Sequence, residues 1–408
     1  MIAVDSARSF ASAQRLGERL ASLPSTLAEA LDVLERAAMP IAPLSGVDAP
    51  IWVTGGGMSE GPARFLVALL VEQGTHSEYV PLSEFVDGTA GHDTAPHGSS
   101  RRHGTLVLFS QGLAPNARFP LLHAQRFRRC LLVTAVNPAA ANIGLEKQRL
   151  TAALAASVQS RGVQVLTLPP TDEEGLLLRV VGPAVHALAA AWLAGLDPSL
   201  LRQIPAVYLA DWASALPPGS SLRTDGDLPP VALIASGRYA NACCGLRWTL
   251  LEGLQLPDPP VWDLLQVAHG PLQSIWTRCQ TLLVLQRAAA PHEARLQGAL
   301  AAVFRSPRHR ILTLPANRLP GLLAYFEHDA QLNRLVLDGL AHRAALRPGE
   351  PAPCPAIDLI DWPGRGHDGP LYDLAPAVDD LIHLEYASVP RTNEASSLRA
   401  EPESQGSG

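Results

Sequence analysis

Short apolar segments that alternate with helical segments constrain the fold of this chain more than any other feature. Four of them, each bounded by Gly, Pro, Ser or Asn, lie in the first half of the chain at 51–54, 106–109, 131–136 and 163–168. Helical patterns occur at 63–73, 150–160 and 175–193. Because strands buried on both faces are almost continuously apolar, this alternation predicts a parallel sheet covered by helices on both faces.

The alternation restarts after a segment rich in Pro, Ser, Gly and Asp. Its second set comprises strands at 231–235, 282–285 and 311–314 and helices at 240–254, 294–304 and 321–345. The sequence therefore predicts an α/β protein with two successive three-layer (αβα) units, each built on a mainly parallel sheet. The predicted parts are N-terminal helices at 1–44, a first unit at 45–195, a connector at 196–230, a second unit at 231–345, and a C-terminal strap with a partly disordered tail at 346–408.

Composition excludes several classes of protein. A net charge of −6 predicts no nucleic-acid partner, and the longest apolar runs are too short to span a membrane. Five scattered cysteines without a CxxC pair, and no basic-apolar leader at the N-terminus, indicate a cytoplasmic protein without a disulfide framework or metal site. We expect no cofactor.

Polar residues follow two predicted strands of the first unit. The first strand runs into GGGMSEG at 55–61, and the second ends in SQGLAPN at 110–116. Carboxyl ends of parallel strands meet at one edge of a sheet, where backbone N–H groups and Ser, Gln and Asn side chains suit a phosphate or sugar hydroxyls. The alternatives are a tight turn that needs glycine and a polar loop in which Asn116 caps a helix.

The second unit offers a proton-transfer pair. Strand 231–235 leads to Arg238 and to a helix that carries Glu252, and His269 follows before Gly-Pro. Glu and His are common proton-transfer groups at neutral pH. On chemistry alone, a solvated helix face for Glu252 and a loop cap for His269 are the favoured interpretations.

The order of these motifs resembles that of the double-SIS (sugar isomerase) family, which includes the isomerase half of glucosamine-6-phosphate synthase. The segments that carry the resemblance, over about residues 45–345, are GGMS at 56–59, LSEF at 82–85, FSQ at 109–111, TDEEG at 171–175, SGR at 236–238, LE at 251–252 and HGPL at 269–272. In that family the corresponding segments are of the CGTS, ASEF, LSQSGETADT, TEIG, GRG, KE and HGPL types, and the TEIG segment opens a helix.

The resemblance implies a role for each candidate residue. It implies that Glu252 is the base for aldose–ketose conversion and that His269 assists ring opening in the site of a neighbouring subunit, so the active unit would be a homodimer with shared active sites. The residues implied to bind the sugar phosphate are Ser59, Ser110 and Gln111, with Asn116 and Arg238 as further candidates.

The chain departs from the family pattern at several positions. Gly112 and Pro115 replace a serine and a threonine of the phosphate loop, and Gly245 and Thr249 replace a glutamate and a lysine on the helix of the base. Lys147 is the single lysine, so 31 of the 32 basic residues are arginine. The family's C-terminal catalytic lysine and its glutaminase domain have no counterpart, which excludes glutamine-dependent glucosamine synthesis through a lysine Schiff base.

Two hypotheses from different classes remain open. The first is a sugar-phosphate isomerase or deaminase that uses Glu252, and the second is a non-catalytic sensor of a sugar phosphate that regulates a partner. A nucleotide-binding Rossmann enzyme is disfavoured because no acidic residue follows the Gly-rich turn in the required context. Segment 361–368 (DWPGRGHD) is interpreted as a Trp-anchored strap on the second unit.

Overall fold

A computed structural model describes most of the chain up to residue 346 and confirms the predicted α/β architecture with two parallel sheets. The described residues are 2–37, 41–86, 104–136, 162–171, 173, 176–212, 222, 230–254, 256–288, 291–304 and 309–346. The predicted helix at 150–160, Lys147, the strap and the tail lie outside them. No helix among these residues is both long and apolar enough to cross a membrane.

The first sheet has five strands in the order β2-β1-β3-β4-β5, and every neighbouring pair is parallel. The strands are β1 (Ile51–Gly55), β2 (Ser77–Tyr79), β3 (Thr105–Phe109), β4 (Arg129–Thr134) and β5 (Val163–Thr167). The helices of this part of the chain are α1 (Ile2–Ala37), α2 (Glu60–Glu72), α3 (Ser83–Val86), α4 (Phe119–Leu122), α5 (Val181–Leu193), α6 (Pro198–Leu201) and α7 (Ile204–Tyr208).

The second sheet has four parallel strands in the order β7-β6-β8-β9. The strands are β6 (Val231–Ala235), β7 (Val261–Asp263), β8 (Thr281–Arg287) and β9 (Arg310–Ala316). The helices are α8 (Arg238–Cys243), α9 (Arg247–Leu254), α10 (Pro271–Thr277), α11 (Pro291–Val303) and α12 (Ala324–Leu346). The two sheets thus repeat one order of strands, apart from the extra strand β5.

Alternation along the strands divides the apolar residues between the two faces of each sheet. On β3, Val107 and Phe109 enter the large central core, whereas Leu106 and Leu108 enter a smaller cluster on the opposite face. Leu283 of β8 belongs to the same central core as Val107. One continuous core therefore joins the two units through the helices that lie between the sheets.

Helix α2 and the turn that follows α8 approach each other closely between the two units. A Cβ added at Gly245, in the 3-10 turn that follows α8, would lie 2.0 Å from the Cα of Gly61. The structure thus explains why a side chain is missing where the family resemblance implies a glutamate. Helix α1 packs against α5 and α12 and so contacts both units.

Some predicted helix boundaries are wrong. The predicted helix 240–254 is interrupted by the 3-10 turn Cys244–Leu246 between α8 and α9, whereas the predicted N-terminal helical segment contains helix α1. The short edge strands β2 and β7 were not predicted, because three half-exposed residues give no apolar run. The predicted helix 175–193 begins only at Val181, and the reason lies in the candidate site.

Candidate functional site

The turn after β1 places Ser59 at the carboxyl edge of the first sheet. A 3-10 turn, Gly57–Ser59, joins β1 to α2, and Gly57 adopts a positive φ of 56° that favours glycine. A Cβ at Gly55 would lie 2.5 Å from the backbone oxygen of Ser59 and 3.2 Å from that of Phe109, so only glycine allows this close approach. Ser59 is therefore held beside the end of β3.

The residues that follow β3 lie at the same edge. The backbone N–H of Ser110 donates to the oxygen of Val133 at 3.0 Å, which extends the pairing of β3 with β4 and buries Ser110. The Nε2 of Gln111 donates to Oε2 of Glu173 at 2.6 Å and to Oγ1 of Thr171. Both hydrogens of this amide are thereby used, and its oxygen can only accept a hydrogen bond.

Glu173 organises this corner of the site and was given no role from the sequence. Its carboxylate is buried and accepts the backbone N–H groups of Val180, Val181 and Gly182 at 2.5, 2.8 and 3.1 Å. A carboxylate at the start of a helix satisfies the unpaired N–H groups and is stabilised by the helix dipole. Glu173 therefore fixes the start of α5, which corrects the expectation that residues 171–175 open the helix.

A signal for Glu173 was present in the sequence. The first turn of the helix that follows it carries no polar side chain, so its first N–H groups need an acceptor from outside the helix. The same corner also needs a glycine: a Cβ at Gly182 would lie 2.3–2.5 Å from the amide atoms of Gln111. Gly182 thus leaves the space that the Gln111 amide fills.

Glu252 reaches this edge from the second unit. Its helix, α9, packs against the Gly57–Ser59 turn, and the backbone N–H of Arg179 donates to its carboxylate. Within the described part of the chain, its Oε2 is buried without a hydrogen-bond partner. Burial raises the pKa of Glu252 to about 8, and the negative charge of Glu173 adds to this rise, whereas Arg179 opposes it.

Because the pKa of Glu252 is raised, we expect the free energy of unfolding to depend on pH. An unfolded glutamate loses its proton near its ordinary pKa of 4.5, whereas the folded protein keeps this proton up to about pH 8. Stability from this group is thus complete below pH 4.5 and is lost as the pH rises to 8. Relative to Glu252→Gln, we expect the wild type to lose roughly 3–4 kcal/mol of unfolding free energy between pH 5 and 8 in urea titrations. Parallel pH curves for the two proteins would contradict the assignment.

Glu60, the first residue of α2, builds one wall of the site. It accepts Nε of Arg64 at 2.6 Å, Nη2 of Arg247 at 3.3 Å and Nε1 of Trp248 at 2.9 Å. Burial alone would raise the pKa of Glu60, but the hydrogen bonds from Arg64 and Trp248 and the two arginine charges outweigh burial and lower it. Glu60 therefore stays ionised and ties α9 to the start of α2.

The loop after β3 carries Gly112 and Asn116 at the same edge. Asn116 is exposed on the 3-10 turn Pro115–Arg118, and no contact from its side chain to the other candidates is seen. Buried Leu113 adopts a left-handed φ of 51° between them, which turns the loop and leaves Gly112 exposed. A Cβ at Gly112 would meet nothing within 4 Å.

This open space permits the missing hydroxyl to be restored. We expect Gly112→Ser to bind inorganic phosphate about tenfold more tightly than the wild type, since an added donor to a charged group contributes about 1.5 kcal/mol. Calorimetric titration measures the change. The matched control is Gly298→Ser, which adds the same hydroxyl in open space on α11. An equal gain in phosphate affinity in the control, or no gain for Gly112→Ser, would contradict the assignment of this loop to a phosphate site.

The structure does not bring Arg238 to this edge. Its Nη1 donates to the backbone oxygen of Val71 at 3.2 Å, in the last turn of α2. Because α2 has 13 residues and rises about 1.5 Å per residue, this point lies about 20 Å from Ser59 along the helix. Arg238 belongs instead to the carboxyl edge of the second sheet, where Gly237 donates its N–H to Asp263 at 2.6 Å.

His269 also lies with the second sheet. It is exposed and follows the 3-10 turn Gln266–Ala268, which comes after β7. This places it after β7, at the edge of the second sheet that holds Asp263 and Arg238. A role in the site of a second subunit stays a prediction.

No group of three or more His, Cys, Asp or Glu side chains that could hold a metal ion occurs among the described residues. Four cysteines fall within this part of the chain, at 130, 243, 244 and 279, and all are unpaired.

Comparison with known proteins identifies the fold. No protein-family model and no curated protein sequence matches the chain. Tagatose-6-phosphate ketose/aldose isomerase from Escherichia coli superposes with a TM-score of 0.60 and 16% identity, over 82% of this chain and 95% of that one. Glucosamine-6-phosphate deaminase from Thermotoga maritima gives 0.56 and 13%, over 83% and 97%. The chain has the double-SIS fold.

A third similar structure belongs to the kind of enzyme whose isomerase half the sequence motifs resemble. The C-terminal domain of glucosamine-fructose-6-phosphate aminotransferase from Francisella tularensis gives a TM-score of 0.50 and 11% identity, over 81% of this chain and 96% of that one. The resemblance seen in the motifs is thus confirmed at the level of the fold. In this fold, Ser59, Ser110 and Gln111 follow strands of the first sheet, and Glu252 lies on α9, beside the second sheet.

Proposed function

We propose that this double-SIS protein binds a phosphorylated sugar at the carboxyl edge of its first sheet and isomerises or deaminates it. One observation carries the proposal: Glu252, whose Oε2 is buried without a hydrogen-bond partner among the described residues, reaches from the second unit to the edge that holds Ser59, Ser110 and Gln111. A carboxyl group with a raised pKa beside neutral donors suits proton transfer on a bound sugar.

In the proposed reaction, the ionised Glu252 removes the proton from C2 of the open-chain aldose while the carbonyl oxygen at C1 takes up a proton, which gives an enediol. Glu252 then returns its proton to C1, and the hydroxyl at C2 loses its proton to become the carbonyl of the ketose. The hydroxyl of Ser59, the Ser110 side chain and the backbone N–H groups of the loop after β3 hold the phosphate, with Asn116 as an outer donor. Because the Gln111 amide donates to Glu173, Gln111 is assigned to a sugar hydroxyl through its oxygen. Arg238 is not used, since it lies at the far end of α2.

The substrate class is supported by the proteins that share the fold, whose names state a ketose/aldose isomerase of tagatose 6-phosphate and a deaminase of glucosamine 6-phosphate. A homodimer completes the proposed site: His269 of a second copy assists ring opening. Its exposure and its position at the edge of the second sheet favour this arrangement. Unpaired cysteines favour a reducing cytosol as the location.

A non-catalytic sensor of a sugar phosphate is the second candidate. Gly112 and Pro115 stand where the related loop has hydroxyl donors, and the donors of Gln111 are engaged by Thr171 and Glu173. A site with few phosphate donors can bind a ligand without driving its chemistry. Glu252 would then be a buried acid that reports binding through its protonation.

A thermal-shift screen tests the binding that both candidates require. We would compare glucose 6-phosphate, fructose 6-phosphate and glucosamine 6-phosphate with the same sugars lacking phosphate. The proposal expects a rise in melting temperature with at least one phosphorylated sugar and none with its unphosphorylated form. Equal effects of the two forms, or no effect of any, would contradict it. Deuterium exchange at C2 of a bound sugar separates the enzyme from the sensor.

A further inference from the structure

Trp248 stands one helical turn before Glu252 on α9. Residues four apart lie on the same face of an α-helix, so the indole and the carboxyl group both face the carboxyl edge of the first sheet. Trp248 is only partly buried. A large, flat, apolar side chain therefore borders the site at the position of the base.

A hydrogen bond to Glu60 and the side chain of Arg247 fix the orientation of the indole. Its Nε1 donates to Oε2 of Glu60 at 2.9 Å, and Glu60 directly follows Ser59. Arg247 lies over the indole with its guanidinium carbon 5.4 Å from the ring centre. Because the hydrogen bond holds the edge of the ring and the arginine lies over its plane, little rotamer entropy is left to lose on binding.

Partly exposed tryptophans with an anchored edge suit ligands that have one apolar and one polar side. A pyranose ring has this character, since its axial C–H bonds form an apolar face and its hydroxyls point outward. We propose that Trp248 is the platform on which the sugar ring packs, between the phosphate held near Ser59 and the carboxyl group of Glu252. The inference rests on the proposed function and adds that the site selects a ring-forming hexose phosphate over a short acyclic phosphate.

The test compares ligands with and without a ring on matched variants. The probes are glucose 6-phosphate, fructose 6-phosphate, glucosamine 6-phosphate, glycerol 3-phosphate and inorganic phosphate, titrated calorimetrically into the full chain. Trp248→Leu is expected to weaken binding of the best hexose phosphate about tenfold, while the affinities for glycerol 3-phosphate and inorganic phosphate stay within twofold. Trp248→Phe keeps an aromatic ring without the N–H donor. Its affinity for the best hexose phosphate is expected to lie between those of Trp248→Leu and the wild type.

Trp262 provides the control, since it is a partly buried tryptophan on β7 of the second sheet. Trp262→Leu is expected to leave all affinities unchanged. Equal losses of affinity for hexose phosphate and inorganic phosphate in both Trp248 variants would show that Trp248 has only a structural role. Unchanged affinity for hexose phosphate would also contradict the proposed platform. A wild-type protein that binds inorganic phosphate but no hexose phosphate contradicts the proposed function and the platform together.

Discussion

Replacing Glu252 with glutamine is expected to lower the turnover of the bound sugar phosphate by about 10³-fold, because a positioned general base contributes about 10²–10⁴-fold to the rate. Affinity for the sugar phosphate should change by less than about threefold, since glutamine keeps the size of the side chain and the acceptor for the N–H of Arg179. With a pKa of about 8, the wild-type rate should also rise with pH up to this value.

Steady-state rates and calorimetric affinities measure these two effects separately. Glu35→Gln is the matched control, because Glu35 forms an exposed ion pair with Arg202 at 2.6 Å on the outer side of α1. This variant should keep full turnover. If Glu252→Gln retained wild-type turnover, another group would be the base and the proposed mechanism would be wrong.

The substitution Gly245→Ala, which adds a single methyl group, is expected to force the two units apart at this contact and to destabilise the protein. The Cβ of Gly245→Ala would lie 2.0 Å from the Cα and 2.7 Å from the backbone N of Gly61. Neither atom belongs to a flexible side chain, so α2 and α8 must move apart. Overpacking at such a contact costs about 3 kcal/mol or more of unfolding free energy. Because α9 follows Gly245 directly, the displacement also moves Glu252 away from the edge of the first sheet.

Alanine substitutions at two other glycines provide a comparison for the unfolding free energy of Gly245→Ala in urea titrations. A Cβ at Gly61 would lie 3.1 Å from the Tyr325 hydroxyl and 3.3 Å from Gly245, so Gly61→Ala should cost clearly less than Gly245→Ala. Gly298 lies inside α11 with nothing within 4 Å, and Gly298→Ala should stabilise the protein by about 0.5–1 kcal/mol. A Gly245→Ala protein as stable as the wild type would contradict the close approach of the two helices.

The central strands were predictable from the sequence, and the edges of the sheets were not. β3 is buried along its whole length, so its residues form an uninterrupted apolar run that marks its position. β2 pairs on one side only and contains Ser77 and the exposed Glu78, so its three residues carry no such signal. The start of α5 was missed for a different reason, since the acceptor that sets it, Glu173, comes from the preceding loop.

The first half of the candidate site followed from the sheet alone. Ser59 and Ser110 end neighbouring parallel strands, and such residues meet at one edge. The position of Glu252 has no comparable rule, because it depends on how α9 of the second unit packs on the first. Only the resemblance to the double-SIS family pointed to Glu252. Arg238 follows strand 231–235 of the second unit, so the strand-end rule already placed it at the edge of the second sheet, and only the family resemblance assigned it to the sugar phosphate.

Deuterium incorporation at C2 tests the central claim most directly. An aldose 6-phosphate that binds in the thermal-shift screen, such as glucose 6-phosphate or glucosamine 6-phosphate, would be incubated with the protein in D₂O and followed by proton NMR, because a ketose carries no proton at C2. Proton transfer by Glu252 predicts that the wild type replaces the C2 proton with deuterium and that Glu252→Gln does so about 10³-fold more slowly. A wild-type protein that binds the sugar phosphate tightly but leaves its C2 proton unexchanged would contradict the claim and identify a sensor.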